Sequence, residues 1–182
     1  LEARQARFEE MGLIFPQVSA IILTARYYLA NGELAQAHAA VEHGLAMGQK
    51  PTMRRPLAGA IAIAAEVFLA LGRPEEAARW LLELEPIQHY IVDTQHVLMV
   101  ELIRHRSAIA NGQSLAADLP ALDEKLRAFD APIYNARLAS QRARLASEMN
   151  DPGAAQHWTE MARTQLKRIQ GGCPMDLKHL LS

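Results

Sequence analysis

Residues 69–78, Leu-Ala-Leu-Gly-Arg-Pro-Glu-Glu-Ala-Ala, decide the fold of this chain. Gly72 follows an apolar helix end, where glycine can adopt the left-handed conformation that caps the last carbonyl groups. Pro74 and the two glutamates after it suit the first turn of another helix, where unpaired N–H groups favour negative charge. The stretch therefore predicts a tight turn between two helices.

The same turn recurs at a nearly constant spacing. Gly32, Gly72 and Gly112 are evenly spaced, and Asn150 follows after a slightly shorter interval. An alanine stands five residues after each turn position, at Ala37, Ala77, Ala117 and Ala155. A fixed period of this size is typical of a solenoid, in which each repeat buries its apolar face against its neighbours. We therefore predict an all-α fold of four helical hairpins, with these alanines buried at close helix contacts.

The composition supports helices and excludes several partners. Half of the 182 residues are apolar but only 5% are aromatic, as in closely packed helices. The formal net charge is −1, so no global field favours nucleic acid or an anionic membrane. The most apolar segment, residues 57–71, contains Glu66 and is too short to span a bilayer. The single cysteine, Cys173, excludes an internal disulfide and fits a reducing compartment, so we expect a cytoplasmic protein.

The turns divide the chain into a repeat domain over residues 1–172 and a C-terminal tail at 173–182. Residues 1–12 look like the orphan second helix of a preceding repeat, so we expect a fragment of a larger protein. We predict the repeats at about 14–48, 52–86, 89–130 and 132–171. The first helix of the third repeat should run from about Ile91 to Ala110.

Two prolines set helix boundaries. The second helix of the second repeat should span Pro74 to Leu84 and stop before Pro86, because the residue before a proline is disfavoured in the helical region. Pro120 predicts a longer loop after Gly112 and a helix that begins near Asp118 or Leu119, with the proline in its first turn.

Several repeats have a small residue seven positions before the turn, a bulky aromatic residue four positions before it and an alanine five positions after it. This pattern resembles the tetratricopeptide repeat. The small residues are Ala25, Ala65 and Ala143, and the aromatic residues are Tyr28 and Phe68. The pattern fails at His105, Ala108 and Ala146 and throughout the second helix of the third repeat. The period is also longer, at about 40 residues where the tetratricopeptide repeat has about 34 residues.

The longer period suggests a narrower resemblance. With Asp-Ala-Pro at 130–132 and Asn-Ala-Arg-Leu-Ala at 135–139, it is similar to the superhelical repeat domains of bacterial LuxR-type regulators with a signal-transduction ATPase, and of some cyclase- or kinase-linked sensors. The resemblance implies a right-handed α-α superhelix whose concave face senses an inducer or docks a partner.

Catalytic and cofactor motifs are absent from the sequence. It has no phosphate-binding glycine loop and no His-Glu-x-x-His zinc motif, and its seven histidines are scattered. We interpret Glu101 and His105, four residues apart, as a helix-surface pair, and Cys173 near His179 as an ordinary free thiol. Trp80 and Trp158 should pack between repeats. We expect no cofactor, no metal and no enzyme activity.

The position six before each turn carries the most promising side chains: Arg26, Glu66, Arg106 and Arg144. By the resemblance, this position faces the concave groove, where guanidinium groups would bind a carboxylate or phosphate through two hydrogen bonds. Alternatively, Glu66 pairs with Arg26 or Arg106 and leaves Arg144 the most available to an acidic ligand. Arg104, Arg137 and Arg142 extend a basic strip that is too small to imply DNA binding. The candidate partner-binding set is Arg26, Glu66, Arg106, Arg137, Gln141 and Arg144.

Two functions remain open at this point. In the first, the chain is a non-catalytic module of a regulatory protein that binds a protein, a peptide or a small inducer in the groove. In the second, it is a structural or dimerising scaffold in which another subunit, for instance in a homodimer, covers the apolar helix at 57–71. An enzyme is a remote third alternative, because repeats supply surface without chemistry.

Overall fold

The computed structural model describes residues 14–48, 54–113, 117–129 and 131–170. These residues form eight α-helices and one 3-10 helix, with no strand among them, so the predicted all-α class is confirmed. The helices are α1 Ile14–Ala30, α2 Leu34–Gly48, α3 Arg54–Ala70, α4 Pro74–Leu84, the 3-10 helix Glu85–Tyr90, α5 Thr94–Ala110, α6 Leu119–Ala128, α7 Pro132–Glu148 and α8 Pro152–Gln170.

All four predicted turn positions have a left-handed backbone. The φ angles are 75° at Gly32, 70° at Gly72, 73° at Gly112 and 57° at Asn150. Asn150 is the one residue other than glycine with a positive φ in the described part of the chain, and asparagine is among the few residues that tolerate this conformation. The prediction of a turn at each position is confirmed.

The turn after α3 shows how the helix end is capped. The N–H of Gly72 donates to the carbonyl of Leu69 at 3.1 Å, and the N–H of Arg73 donates to the carbonyl of Phe68 at 2.9 Å. This pair of bonds is the Schellman motif, which satisfies carbonyl groups that would otherwise lack partners. The same two bonds close the turns after α1, α5 and α7. Pro74 and two glutamates then open α4, which spans the predicted residues.

The chain forms two compact units, Leu1–Val92 and Asp93–Ser182. The division falls close to the start of the third predicted repeat, just before α5. A repeat array has no single closing core, so its hairpins can group in this way. The single repeat domain over residues 1–172 stays a prediction.

In the first unit α3 is the central helix. It packs against α1, α2, α4 and the 3-10 helix, and its residues from Ile61 to Phe68 are all buried. The nearly all-apolar composition of residues 57–71 predicts burial on every side, and these neighbours provide it. Ala37 and Ala77 are fully buried, as the repeat pattern predicts.

In the second unit α7 is the central helix. It packs against α5, α6 and most extensively α8. Leu102 and Ile103 of α5, Leu122 of α6, Leu145 of α7 and Trp158 of α8 are each at most 3% exposed. These side chains hold α7 in place, and α7 carries three of the six candidate binding residues, Arg137, Gln141 and Arg144.

Helix α4 ends at Leu84, before Pro86, as predicted, but the predicted reason was wrong. Glu85 keeps helical angles although it precedes Pro86, because the chain tightens there into a 3-10 helix with the proline in its first turn. Helix α5 begins at Thr94 rather than Ile91, which has an extended backbone and caps the 3-10 helix. Helix α6 does begin at Leu119, with Pro120 in its first turn as predicted.

The alanine five after the turn is not buried in every repeat. Ala155 is only half-buried, because α8 packs mainly on α7, while the equivalent residues of the first unit are fully buried between helices. Ala117 is exposed in the loop before α6.

The predicted orphan helix at 1–12 and the tail at 173–182, with Cys173 and His179, lie outside the described residues. In the part of the chain that the structure describes, every helix is too short or too polar to cross a bilayer.

Candidate functional site

The position six before each turn differs strongly in exposure from one repeat to the next. Glu66 is 3% exposed and Arg106 is 8% exposed, Arg26 is intermediate, and Arg144 lies on the surface. The same position in the repeat is therefore buried in some repeats and exposed in another. The predicted contact between Arg26 and Glu66 stays a prediction.

Arg106 holds a carboxylate within the second unit. Its Nε lies 3.0 Å from both carboxylate oxygens of Glu148, and its Nη2 donates to Oε1 at 2.7 Å. Its Nη1 donates to Oε1 of Gln141 at 2.9 Å. The guanidinium group thus reaches from α5 to two residues of α7 that are two helical turns apart, in the forked geometry that suits arginine.

A second buried arginine, Arg142, connects α7 to α6. Arg142 is 4% exposed and donates to both carboxylate oxygens of Asp123 on α6, at 2.6 and 3.0 Å. Its guanidinium carbon also lies 5.7 Å from the ring centre of Trp158, within the range of a cation–π contact. Arg142 is therefore a packing residue, and the predicted exposed basic strip does not include it.

The remaining candidate residues of α7 lie at different depths. Gln141 is buried at 5% exposure beside Arg106, and Arg137 is half-buried. Arg144 lies on the surface at the edge of a cleft. The structure thus brings Arg106 of α5 and Gln141 of α7 together, and Arg144 of α7 is exposed at the cleft.

The cleft between α7 and α8 has a volume of about 480 Å³. The α7 residues that line the cleft lie on one face of that helix, and the three α8 residues that line it lie within about one helical turn. Arginine, hydroxyl and alanine side chains form most of the lining: Ser140, Ala143, Arg144, Ser147, Glu148, Thr159, Ala162 and Arg163. A polar ligand can therefore approach the two helices closely in this cleft.

The charges of the cleft favour an anion. Its one acidic side chain, Glu148, is neutralised by the buried Arg106, while Arg144 and Arg163 contribute positive charge from opposite walls. Arg163 donates to Glu160 at 2.8 Å, but both side chains are more than half exposed, and such surface pairs are worth only about 0–1 kcal/mol. The α7–α8 hairpin carries six basic residues against three acidic ones, Arg137, Arg142, Arg144, Arg163, Lys167 and Arg168 against Glu148, Asp151 and Glu160.

The predicted surface pair of Glu101 and His105 was wrong. His105 is buried, and its Nδ1 lies 2.8 Å from the backbone carbonyl oxygen of Glu101, which can only accept a hydrogen bond. The Glu101 carboxylate instead accepts bonds from Lys125 on α6 at 2.9 and 3.1 Å. The two side chains share one helical face, but a lysine from the neighbouring helix takes the carboxylate.

Among the described residues, no three histidine, cysteine, aspartate or glutamate side chains converge on a point where they would hold a metal ion. Comparison with models of protein families, with curated proteins and with solved structures finds no match for this chain. The functional interpretation therefore depends on the geometry of the second unit.

Sequence reasoning missed Glu148 and Arg163. Glu148 follows Arg106 by one repeat period plus one helical turn, so the repeat alignment places it beside Arg106 on the adjacent helix. Arg163 lies on a second helix, while the search for groove residues was confined to first helices. Both signals were present in the sequence.

Proposed function

We propose that this chain is a non-catalytic binding module, a tetratricopeptide-like repeat array that recognises an acidic segment of a partner protein. The observation that carries the proposal is the cleft between α7 and α8, with an arginine on each wall and its one carboxylate held by Arg106. Arginine forms paired hydrogen bonds with carboxylate groups, so this cleft favours glutamate or aspartate in a ligand. The resemblance to bacterial regulators supports placing the module in a cytoplasmic regulatory protein.

The lining favours a polypeptide over a small-molecule inducer. Pockets for small molecules are lined mainly by apolar and aromatic side chains, although their volumes also start at about 300 Å³. The cleft has no aromatic side chain among its lining residues, and its apolar contribution comes largely from Ala143 and Ala162. A peptide suits such a surface better, because its own side chains and backbone groups supply apolar and polar contacts.

The scaffold alternative loses its main support. It depended on another subunit to cover the apolar helix at 57–71, but α1, α2 and α4 bury this segment within the first unit. The exposed apolar side chains of α1, Leu23 at 52% and Tyr27 at 54%, form a small pair of a kind that is common on monomeric proteins.

A titration with a fluorescein-labelled peptide of six glutamates tests the proposal. We expect micromolar binding by anisotropy that weakens about tenfold when Arg144 and Arg163 are both replaced by glutamine. A peptide of six serines controls for the label. The matched control variant replaces Lys167 and Arg168 by glutamine, which also removes two charges, from α8 outside the cleft. Equal binding by the wild type and the cleft variant would reject the proposed site.

A further inference from the structure

The second unit contains two basic residues that recur one period later. Arg144 follows Arg106, and Arg163 follows Lys125, by the same interval that separates Asn150 from Gly112. The first pair lies on α5 and α6, and the second pair lies on α7 and α8. The fourth hairpin therefore repeats the basic pair of the third hairpin.

Both members of the first pair bind carboxylates in the structure. Arg106 binds Glu148 of α7, and Lys125 binds Glu101 of α5. The helix that packs on the third hairpin thus presents its carboxylate to the arginine of that hairpin. It adds Gln141, seven residues earlier and on the same face, to the same guanidinium group.

The second pair is placed to do the same for another helix. Ala139 occupies the position on α7 that corresponds to Glu101, so Arg163 pairs instead with the exposed Glu160 of its own helix. Arg144 lies on the surface at the cleft, where most of the α7 side chains that line the wall beside it are serine or alanine. Small side chains allow two helices to approach closely, since the distance between helix axes depends on the residues at the contact.

We propose that the cleft between α7 and α8 receives a helix from a partner protein and that Arg144 binds a glutamate of this helix. The partner helix takes the place that α7 has on the third hairpin. Its recognition element is a glutamine followed seven residues later by a glutamate, the spacing of Gln141 and Glu148. This inference rests on the proposed function and specifies the conformation and register of the acidic segment.

The register gives a direct test. Residues seven apart differ by roughly 20° around a helix and share a face, whereas residues five apart differ by roughly 140°. The probes are two fluorescein-labelled alanine-rich helical peptides of equal composition, with glutamine and glutamate either seven or five residues apart. The variants are Arg144→Gln in the cleft and Arg168→Gln as the control of equal charge, each checked for folding by circular dichroism.

We expect the peptide with the spacing of seven to bind the wild-type chain about tenfold more tightly than the peptide with the spacing of five. Arg144→Gln should abolish this preference, and Arg168→Gln should keep it. Equal affinity for the two peptides, or an equal effect of the two variants, overturns the inference. If the six-glutamate peptide binds at the cleft but neither helical peptide does, the helix inference fails and the proposed function stands. If none of the peptides binds, both fail.

Discussion

Removing Glu148 should destabilise the second unit because it leaves Arg106 without its carboxylate. The Arg106 side chain is 10% exposed, and its Nε and Nη2 both donate to Glu148. Breaking a buried ion pair costs about 3–5 kcal/mol, and each unsatisfied donor costs about 1–3 kcal/mol. Glu148 itself is 37% exposed, so water can reach part of the site. We therefore expect Glu148→Ala to lower the free energy of unfolding by about 2–3 kcal/mol.

The partner substitution should cost less than the loss of Glu148. In Arg106→Met an apolar side chain fills the space, and the partly exposed Glu148 can be solvated, so we expect a loss of about 1 kcal/mol. The double variant no longer contains a buried charge without a partner. It should therefore be more stable than Glu148→Ala alone by about 1–2 kcal/mol, although it carries one more substitution.

The two tryptophans allow the second unit to be followed by itself. Trp80 lies on α4 of the first unit and Trp158 on α8 of the second, so Trp80→Phe leaves Trp158 fluorescence as the reporter during urea unfolding. Glu160→Ala is the control, because its exposed pair with Arg163 should contribute less than about 1 kcal/mol. The reasoning is refuted if Glu148→Ala changes stability no more than Glu160→Ala, or if the double variant is less stable than Glu148→Ala.

Three further predictions use urea unfolding, followed by Trp80 fluorescence for the first unit and by Trp158 fluorescence for the second. Gly72→Ala should cost about 1–2 kcal/mol from its φ of 70° alone, since an added Cβ meets no atom within 4 Å, and Gly72→Asn should cost less; equal costs would contradict this. Ala77→Leu should overpack a fully buried site and lower the free energy of unfolding by about 1–3 kcal/mol, and Ala155→Leu at the equivalent half-buried position should cost less. A larger cost for Ala155→Leu would show that the packing is misassigned. Asp123→Ala should strand the buried Arg142 and cost about 3 kcal/mol, and a change under about 1 kcal/mol would mean that water solvates this guanidinium group.

The sequence predicted the features of the fold that depend on local chemistry. A left-handed residue after a helix needs glycine or asparagine, so the four turns could be located from Gly32, Gly72, Gly112 and Asn150 alone. Helix α4 was predicted to the residue because Pro74 favours its first turn. The backbone of Glu85 was predicted wrongly from Pro86, since a 3-10 turn accommodates a proline that an α-helix interior would not.

The candidate site was only partly predictable because it depends on which helices are neighbours. Arg106 and Gln141 were identified from their positions, but their contact requires α7 to pack on α5. Burial of Glu66 followed from the composition of its helix, whereas the burial of Arg142 did not follow from any local pattern. Long-range packing decided the roles of these side chains.

The repeat pattern explains why one residue type at one position can have two roles. Arg106 is buried where α7 packs on α5, and there its charge needs Glu148 to offset the cost of leaving water. Arg144, one period later, is exposed and lines the cleft between α7 and α8. We expect a carboxylate that binds at the cleft to form the same paired hydrogen bonds with Arg144, without the cost of a buried charge in the free protein. The contact of Arg106 with Gln141 and Glu148, which stabilises the inside of the second unit, is therefore a physical model for the contact that we propose for Arg144 at its surface.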